Sequence, residues 1–473
     1  MSSETFLGNW WPSDSRDKSV GGVLTIFDDG NITLETVKKL SPGTFGGASD
    51  LPIVQGESRG RKITLIDLAS TGSRVNIAGQ ANTSTEKFAV TAALVGIHLS
   101  GVDEKVFESM TAVVHNMNTW TRRTGMVIQY QYGPSPRGKD FVGPFKEVSV
   151  TASPLDSLSA TLRSGDNLAI DWEIQSSGYI EGREDTVVTF KERAMAVVRS
   201  NEGREWDYFN RQLRPLVDLV TIATQVPSGI ACQELRLTEG ARERATTVDL
   251  YTRSPRLSAG SVKPHEMAFS LQDVEFDEII ASWFDFYSKI DVSIHALLGL
   301  DYDDGGFYEN RLLNVASAAE GFHSRLFPDE TGLPVDEYQD ILEKLKSDFK
   351  DHPLRKWVLG RVSGNRPSLK DRIVQLGQLP DEIAVRDLVG DPDRFARILV
   401  RVRNDISHAN KSLTDLDYPD DVLYRLEYIS KAFLHLVAFQ CIGLSADLQR
   451  RVVSERWSWS AAKFKGPSGF RVR

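Results

Sequence analysis

Over the first half of the chain, apolar residues come in short alternating or β-branched runs parted by turn residues, while over the second half they recur at three- and four-residue steps. The first pattern, running to about Lys191, is that of half-buried strands. Its clearest instance spans Val23 to Val37, where Asp28-Asp29-Gly30-Asn31 supplies a turn able to take positive φ between two alternating segments. Further strands are predicted at 62–68, 88–99, 124–132, 146–152, 167–174 and 185–192. A helix follows at 204–224, with Trp206, Phe209, Leu213, Leu216 and Val220 at helical spacing, and then strands at 230–238 and 246–252. So many closely spaced strands imply a sandwich or barrel-like β domain. The segment 253–266 lacks periodicity and is rich in Ser, Pro, Gly and basic residues, which marks a linker. Beyond it, helices are predicted at 276–300, 308–327, 335–350, 368–377, 393–413 and 420–444, with Asp336 and Asp393 as first-turn acids. The expected fold class is therefore α+β: a β-rich N-terminal domain over 1–260, an all-α bundle over 270–448, and a basic, aromatic tail over 449–473.

Composition narrows the chemistry. A net charge of −9 repels nucleic acid at long range, so any RNA contact must come from a local basic patch. The only two cysteines, Cys232 and Cys441, lie far apart and outside any CxxC motif, which points away from disulfide frameworks and thiolate zinc sites and suits a reducing cytoplasm. The opening residues carry no basic region followed by an apolar run, and so do not form a secretory signal. The longest apolar stretch, Ala432 to Leu444, contains His435 and Gln440 and is too short to span a bilayer, so no membrane partner is expected. No GxxxxGK[ST], HExxH, GxSxG or strand-linked GxGxxG motif is present. Neither a cofactor nor a metal is expected.

What remains is the segment RVRNDISHAN. Phe395, Ile398, Leu399, Val402, Ile406 and Ala409 form an apolar stripe, and Arg397, Arg401, Asn404 and His408 follow the opposite one at i, i+4, i+7 and i+11. RNA cleavage without metal requires a base for the 2′-hydroxyl proton, an acid for the leaving 5′-oxygen, and fixed positive charge at the transition state. Histidine suits the first two tasks because its pKa lies near working pH. Arginine suits the third, since its planar guanidinium grips phosphate and keeps its charge. The spacing alone carries little weight, because a polar stripe is most often a solvated face. Arg403 and His408, five residues apart, also point about 140° apart on a straight helix. Three arrangements reconcile them: a helix distorted or beginning near Arg403, a long arginine reaching round, or completion by a second subunit across a two-fold axis.

RNDISH, Arg403 to His408, resembles the RNxxxH form of the HEPN ribonuclease motif. The upstream segment ENRLLNVASAAEGFHSRLF resembles the first part of the ApeA-like HEPN domain, with Glu320 as the glutamate after an aliphatic stripe, and GNWWPSDSRDKSVGGVLTIFDDGNITLE resembles the opening of the ApeA N-terminal domain. This resemblance implies a homodimer or higher homo-oligomer with a composite active site. It also implies metal-independent RNA cleavage leaving a 2′,3′-cyclic phosphate, and a role in bacterial anti-phage defence by abortive infection. By the same resemblance Arg403 stabilises the transition state, His408 is base or acid and Asn404 is the polar motif residue. Glu320 and Arg401 support them, although Glu320 reads equally well as an ordinary ion-pair carboxylate. In many HEPN motifs a small residue follows the histidine; here Ala409-Asn410 does. Transfer RNA is the substrate expected by analogy, and a phage-encoded trigger sensed by the N-terminal domain is the expected partner. Two other readings stand beside this one: a non-catalytic HEPN adaptor that binds RNA or a partner, and a protein-binding β module on a helical dimerisation domain.

The tail mixes Arg450, Arg451, Arg456, Lys463, Lys465, Arg471 and Arg473 with Trp457, Trp459, Phe464 and Phe470. That mixture tracks single-stranded nucleic acid or else docks on the protein's own N-terminal domain, and both readings stay open. Trp10 and Trp11 are read as core or domain-interface residues before a ligand platform. His323 and His435 are read as structural.

Overall fold

The computed structural model describes residues 3–40, 51–75, 84–135, 137, 143–181, 186–241, 246–253, 260–290, 292–303, 305–362, 364–408 and 420–465. Contacts divide the chain into two compact units, Met1–Ala281 and Ser282–Arg473. The division falls inside a helix; residues 254–259 of the expected linker lie outside the described residues.

The first unit carries strands β1 (Ser3–Pro12), β2 (Val20–Phe27), β3 (Ile32–Thr36), β4 (Leu51–Ser58), β5 (Arg61–Val75), β6 (Ser84–Val95) and β7 (Phe107–Val114). The short helix α1 (Met117–Thr121) leads to β8 (Met126–Tyr132), β9 (Phe145–Ala152), β10 (Leu158–Thr161), β11 (Asn167–Glu181) and β12 (Thr186–Arg204). Helix α2 (Tyr208–Thr224) precedes β13 (Ile230–Leu237) and β14 (Thr247–Thr252). The Asp28–Asn31 hairpin forms as expected. Ile26 pairs with Ile32, Gly30 adopts φ +85°, and the Asn31 amide donates to Asp29 Oδ1 at 2.9 Å. Along β2, residues Val20, Gly22, Leu24 and Ile26 are buried and their neighbours are not, so alternation in sequence becomes the inside and outside of a sheet.

Six strands close on themselves in the order β1-β2-β3-β6-β5-β4, with β4 returning to β1, all antiparallel. Closure removes the exposed edges that an open sheet would leave. Trp10, Leu24, Leu34, Val54, Leu65 and Phe88 fill the interior with no solvent exposure. Trp10 and Trp11 are both core residues. β6 serves two sheets along one edge: Glu86–Ala89 pair with β3, and Ala92–Val95 pair with β14. From β14 a second run continues through β13, β7, β12 and β11 to β10, and α2 packs across β12 and β7 with Leu213, Leu216 and Val220 fully buried. β8 and β9 form a separate two-stranded sheet.

The second unit is helical. Its elements are α3 (Phe276–Ile290), which crosses the division, α4 (Val292–Tyr302), α5 (Tyr308–Leu326), α6 (Val335–Asp348), α7 (Arg355–Arg361), α8 (Leu369–Leu376), α9 (Glu382–Val389), α10 (Pro392–His408), α11 (Asp420–Cys441), α12 (Ala446–Val452) and α13 (Ser458–Lys465). The stretch 276–300 is helical on either side of Asp291, which lies outside the described residues, and buried Phe286, Ile290, Ile294 and Leu298 keep a four-residue step along it. Helix α5 lies at the centre, packed against α4, α8, α10 and α11. Ring contacts between Phe286 and Phe322 at 5.8 Å and between Phe395 and Phe433 at 5.2 Å tie the layers together.

The segment read as a tail is helical and packed within this unit as far as Lys465. Trp457 is 2% exposed and stacks on Phe439, while Phe464 packs edge-on against Phe395. Arg450 grips Asp381, the N-cap of α9, through both guanidinium branches at 2.8 and 2.7 Å. These hydrogen bonds hold the Asp381 carboxyl at about 2. Phe470, Arg471 and Arg473 lie outside the described residues.

Candidate functional site

Helix α10 owes its orientation to one apolar face. Phe395, Ile398, Leu399 and Val402 are each no more than 2% exposed, whereas Arg401 and Asn404 on the opposite stripe are exposed. The helix runs unbroken from Pro392 to His408, so it neither distorts nor starts near Arg403. Of the three arrangements that reconcile Arg403 with His408, only a reaching arginine or a second subunit survives. His408 is the last described residue of this stretch; its side chain, like Ala409 and Asn410, lies outside the described residues.

Arg403 sits at the border of the two stripes, on the side nearest α5. Its Nη2 lies 3.6 Å from Glu320 Oε1, and the two side chains are 34% and 38% exposed. Nη1 donates to Asn404 Oδ1 at 3.2 Å, and the Ser407 hydroxyl donates to the Arg403 carbonyl at 2.8 Å. Three of the sequence-derived residues, Arg403, Asn404 and Glu320, are thus brought together. The carboxylate is close enough to orient the guanidinium. At this distance and exposure the pair is screened and weak, and the remaining N–H groups stay open to an anion. Next to Glu320, Gly321 lets α5 approach α4: a Cβ there would stand 2.0 Å from Ser293 Oγ. Further along α10, Arg397 pairs with Asp393 at 2.6 Å, and Lys370 reaches the same carboxylate at 2.6 Å. Those hydrogen bonds and charges lower the Asp393 pKa.

Beneath this surface lie ionisable groups that spacing alone did not bring forward. Glu427, Lys431 and His435 form an i, i+4, i+8 stripe on α11 in a strongly apolar helix, and that was their one legible signal. Arg311 of α5, 9% exposed, donates to Glu427 at 2.9 Å and to the Leu300 carbonyl at 3.1 Å. Asp301 receives Lys431 at 3.1 Å and His435 at 2.9 Å. Burial pushes the Asp301 carboxyl upward, but attraction to His435 and Lys431 outweighs it and sets the value at about 2. His435 is therefore a satisfied core histidine. His323 is another: it is 2% exposed and hydrogen-bonded to Gln375 at 2.5 Å, with burial lowering its pKa.

Among the described residues no three His, Cys, Asp or Glu side chains form a metal-binding group, and no helix is long and apolar enough to cross a membrane. Two family models match the chain: ApeA N-terminal domain 1 over residues 5–283 and Apea-like HEPN over residues 313–448. The second match takes in most of α5 and all of α10 and α11, and with them Glu320, Arg403 and His408. No curated protein and no solved structure matches.

Proposed function

Since this chain belongs to the ApeA family of HEPN proteins, at family level anti-phage nucleases, we propose that it is a metal-independent endoribonuclease whose site is built on Arg403, Asn404 and His408. The observation that carries this reading is the partly exposed Arg403, flanked by Asn404 and paired with Glu320, on the helix that carries His408. A base removes the 2′-hydroxyl proton, and the 2′-oxygen attacks the adjacent phosphorus. The P–O5′ bond breaks, an acid returns a proton to O5′, and the products are a 2′,3′-cyclic phosphate and a 5′-hydroxyl. His408 serves as base or acid, Arg403 bears the charge that builds on the phosphoryl oxygens, and Arg401 adds a phosphate contact.

Unbroken helical geometry sends Arg403 and His408 of one chain in directions about 140° apart, which favours a homodimer in which each site draws on two copies. The β-barrel unit is proposed to sense a phage component and to hold the helical unit in check until then. Host transfer RNA is the proposed substrate and the cytoplasm the proposed site of action.

The test is cleavage of RNA by purified full-length protein in EDTA, followed by sequencing of host RNA ends after induction of the wild type and of His408→Ala. New ends with cyclic phosphates, absent from the variant, are the expected result. Binding of RNA without cleavage identifies the non-catalytic adaptor instead.

A further inference from the structure

Strands β8 and β9 pair only with each other among the described residues, and the two faces of the ribbon they form differ in chemistry. Residues directly opposite one another across an antiparallel pair share a face. Ile128 pairs with Val150, Tyr130 with Val148 and Tyr132 with Phe145, so one face is apolar throughout. Gln129 opposite Ser149 and Gln131 opposite Glu147 lie on the other, where Val127 is the one large apolar residue. All six side chains of the apolar face are 41–60% exposed. Together they present roughly 600 Å², as much as the largest apolar patch of an ordinary monomer, and such a patch marks a binding surface. The ribbon is closed at both ends. At its base Glu192 accepts from the Gly125 amide and the Thr124 hydroxyl, both at 2.6 Å, and the Ser153 amide donates to the Gly125 carbonyl at 2.9 Å. At its tip the Gly133 amide donates to the Pro144 carbonyl at 2.9 Å.

From this face we infer that the β8–β9 ribbon is a binding site for single-stranded nucleic acid, its rings stacking on unpaired bases and its basic residues meeting the phosphates. Tyr130 and Tyr132 lie 22° from parallel with centroids 6.5 Å apart, and Phe145 stands edge-on to Tyr132 at 6.4 Å. Exposed rings gathered in one patch accept the π-face of any base, whereas a duplex keeps those faces stacked inside itself. Charge selects the occupant. Residues 122–153 hold five basic and two acidic side chains, a surplus of +3 in a chain of −9. Among the described residues neither Arg137, in the turn, nor Lys146, next to Phe145 on β9, forms an ion pair, and both are exposed. Lys146 sits where the register shifts between the Gln131–Glu147 and Tyr132–Phe145 pairs, beside the rings. A polyphosphate chain is drawn to that surplus, and a purely apolar protein surface gains nothing from it. The segment after Arg450 combines basic and aromatic residues too, but Trp457 and Phe464 there face inward; the ribbon holds the same mixture turned to solvent.

The inference goes beyond the cleavage reading and does not rest on it, since the ribbon shares no residue with α10. Its probe is a labelled 2′-O-methyl oligouridylate of ~12 nucleotides, within the reach of one binding module. Lacking a free 2′-hydroxyl, the probe survives a ribonuclease of the proposed kind, so the full-length wild type can be titrated by fluorescence anisotropy at several salt concentrations. Tyr130→Leu and Tyr132→Leu keep the face apolar but remove a ring, and each should weaken binding at least ~5-fold. Tyr130→Phe keeps the ring and should bind like the wild type, as should Val127→Ser on the opposite face. Lys146→Ala should lower the slope of log affinity against log salt by ~0.7, which the leucine variants leave unchanged. Urea unfolding at the wild-type midpoint shows that a variant lost the contact and not the fold. A wild type that fails to bind the probe overturns the inference and leaves the apolar face to a protein partner. Leucine variants that bind as tightly as the wild type, or a loss in Val127→Ser equal to that in Tyr130→Leu, overturn it too. A chain that binds the probe through these rings but cleaves no RNA upholds the inference and refutes the ribonuclease reading, so the two fail separately.

Discussion

Replacing Arg403 by alanine should remove nearly all RNA cleavage while barely touching stability, and the structure sets the size of both effects. Among the described residues the side chain has one ion-pair contact, at 3.6 Å from Glu320, with both partners about one third exposed. Such a pair contributes about 0–1 kcal/mol after solvent screening. The buried methylenes of the arginine stem add a few tenths more, of order 0.5 kcal/mol. A charge that acts on the transition state is worth far more there, about 3–4 kcal/mol, or ~10²–10³ in rate. Cleavage of a labelled RNA in EDTA, measured beside urea unfolding of the same preparations, checks both numbers. Arg403→Lys keeps the charge but loses the planar fork, and so should fall between wild type and alanine. A variant that loses ~3 kcal/mol of stability makes Arg403 a structural residue. One that cleaves within about threefold of wild type removes it from the chemistry.

The deep pair behaves in the opposite way. Glu427→Ala strands the Arg311 guanidinium, 9% exposed, and should destabilise the helical unit by about 3–5 kcal/mol in denaturant titrations; a near-wild-type midpoint would show that water reaches the arginine. Asp301 gives a pH signature. Its carboxyl is held at about 2 in the folded chain against an ordinary 3.8, so the stabilisation is complete above pH ~4 and lost as pH falls toward 2. Asp301→Asn should therefore cost about 2 kcal/mol at neutral pH, with the gap to wild type closing between pH ~4 and ~2. A gap that stays constant through that window is the contrary result.

Periodicity was enough to reveal much of the fold. Period-two runs became β2, β3, β5, β6, β8, β9, β11 and β12, and period-3.6 runs became α5, α6, α8, α10 and α11, because alternation and helical spacing are imposed residue by residue by which side faces water. Strands β1, β4, β7 and β10 and helices α7 and α9 carry weaker marks. β1 buries Phe6, Trp10 and Trp11 out of simple alternation, since one end of it pairs with two neighbours at once. α12 and α13 were hidden by composition, because basic and aromatic residues in a row look alike whether they form a free tail or one whose aromatic rings face inward.

The candidate site divides in the same way. The amino-acid sequence by itself determined that α10 has one greasy and one polar face and that RNDISH lies on it, since both are properties of neighbouring residues on one helix. Only the tertiary structure decided that the barrel closes between β5 and β6, that Glu320 rather than another carboxylate meets Arg403, that Glu427 meets Arg311, and that Asp301 meets Lys431 and His435. Each of those is a meeting of residues remote along the chain, selected by how whole elements pack, and no local pattern encodes it.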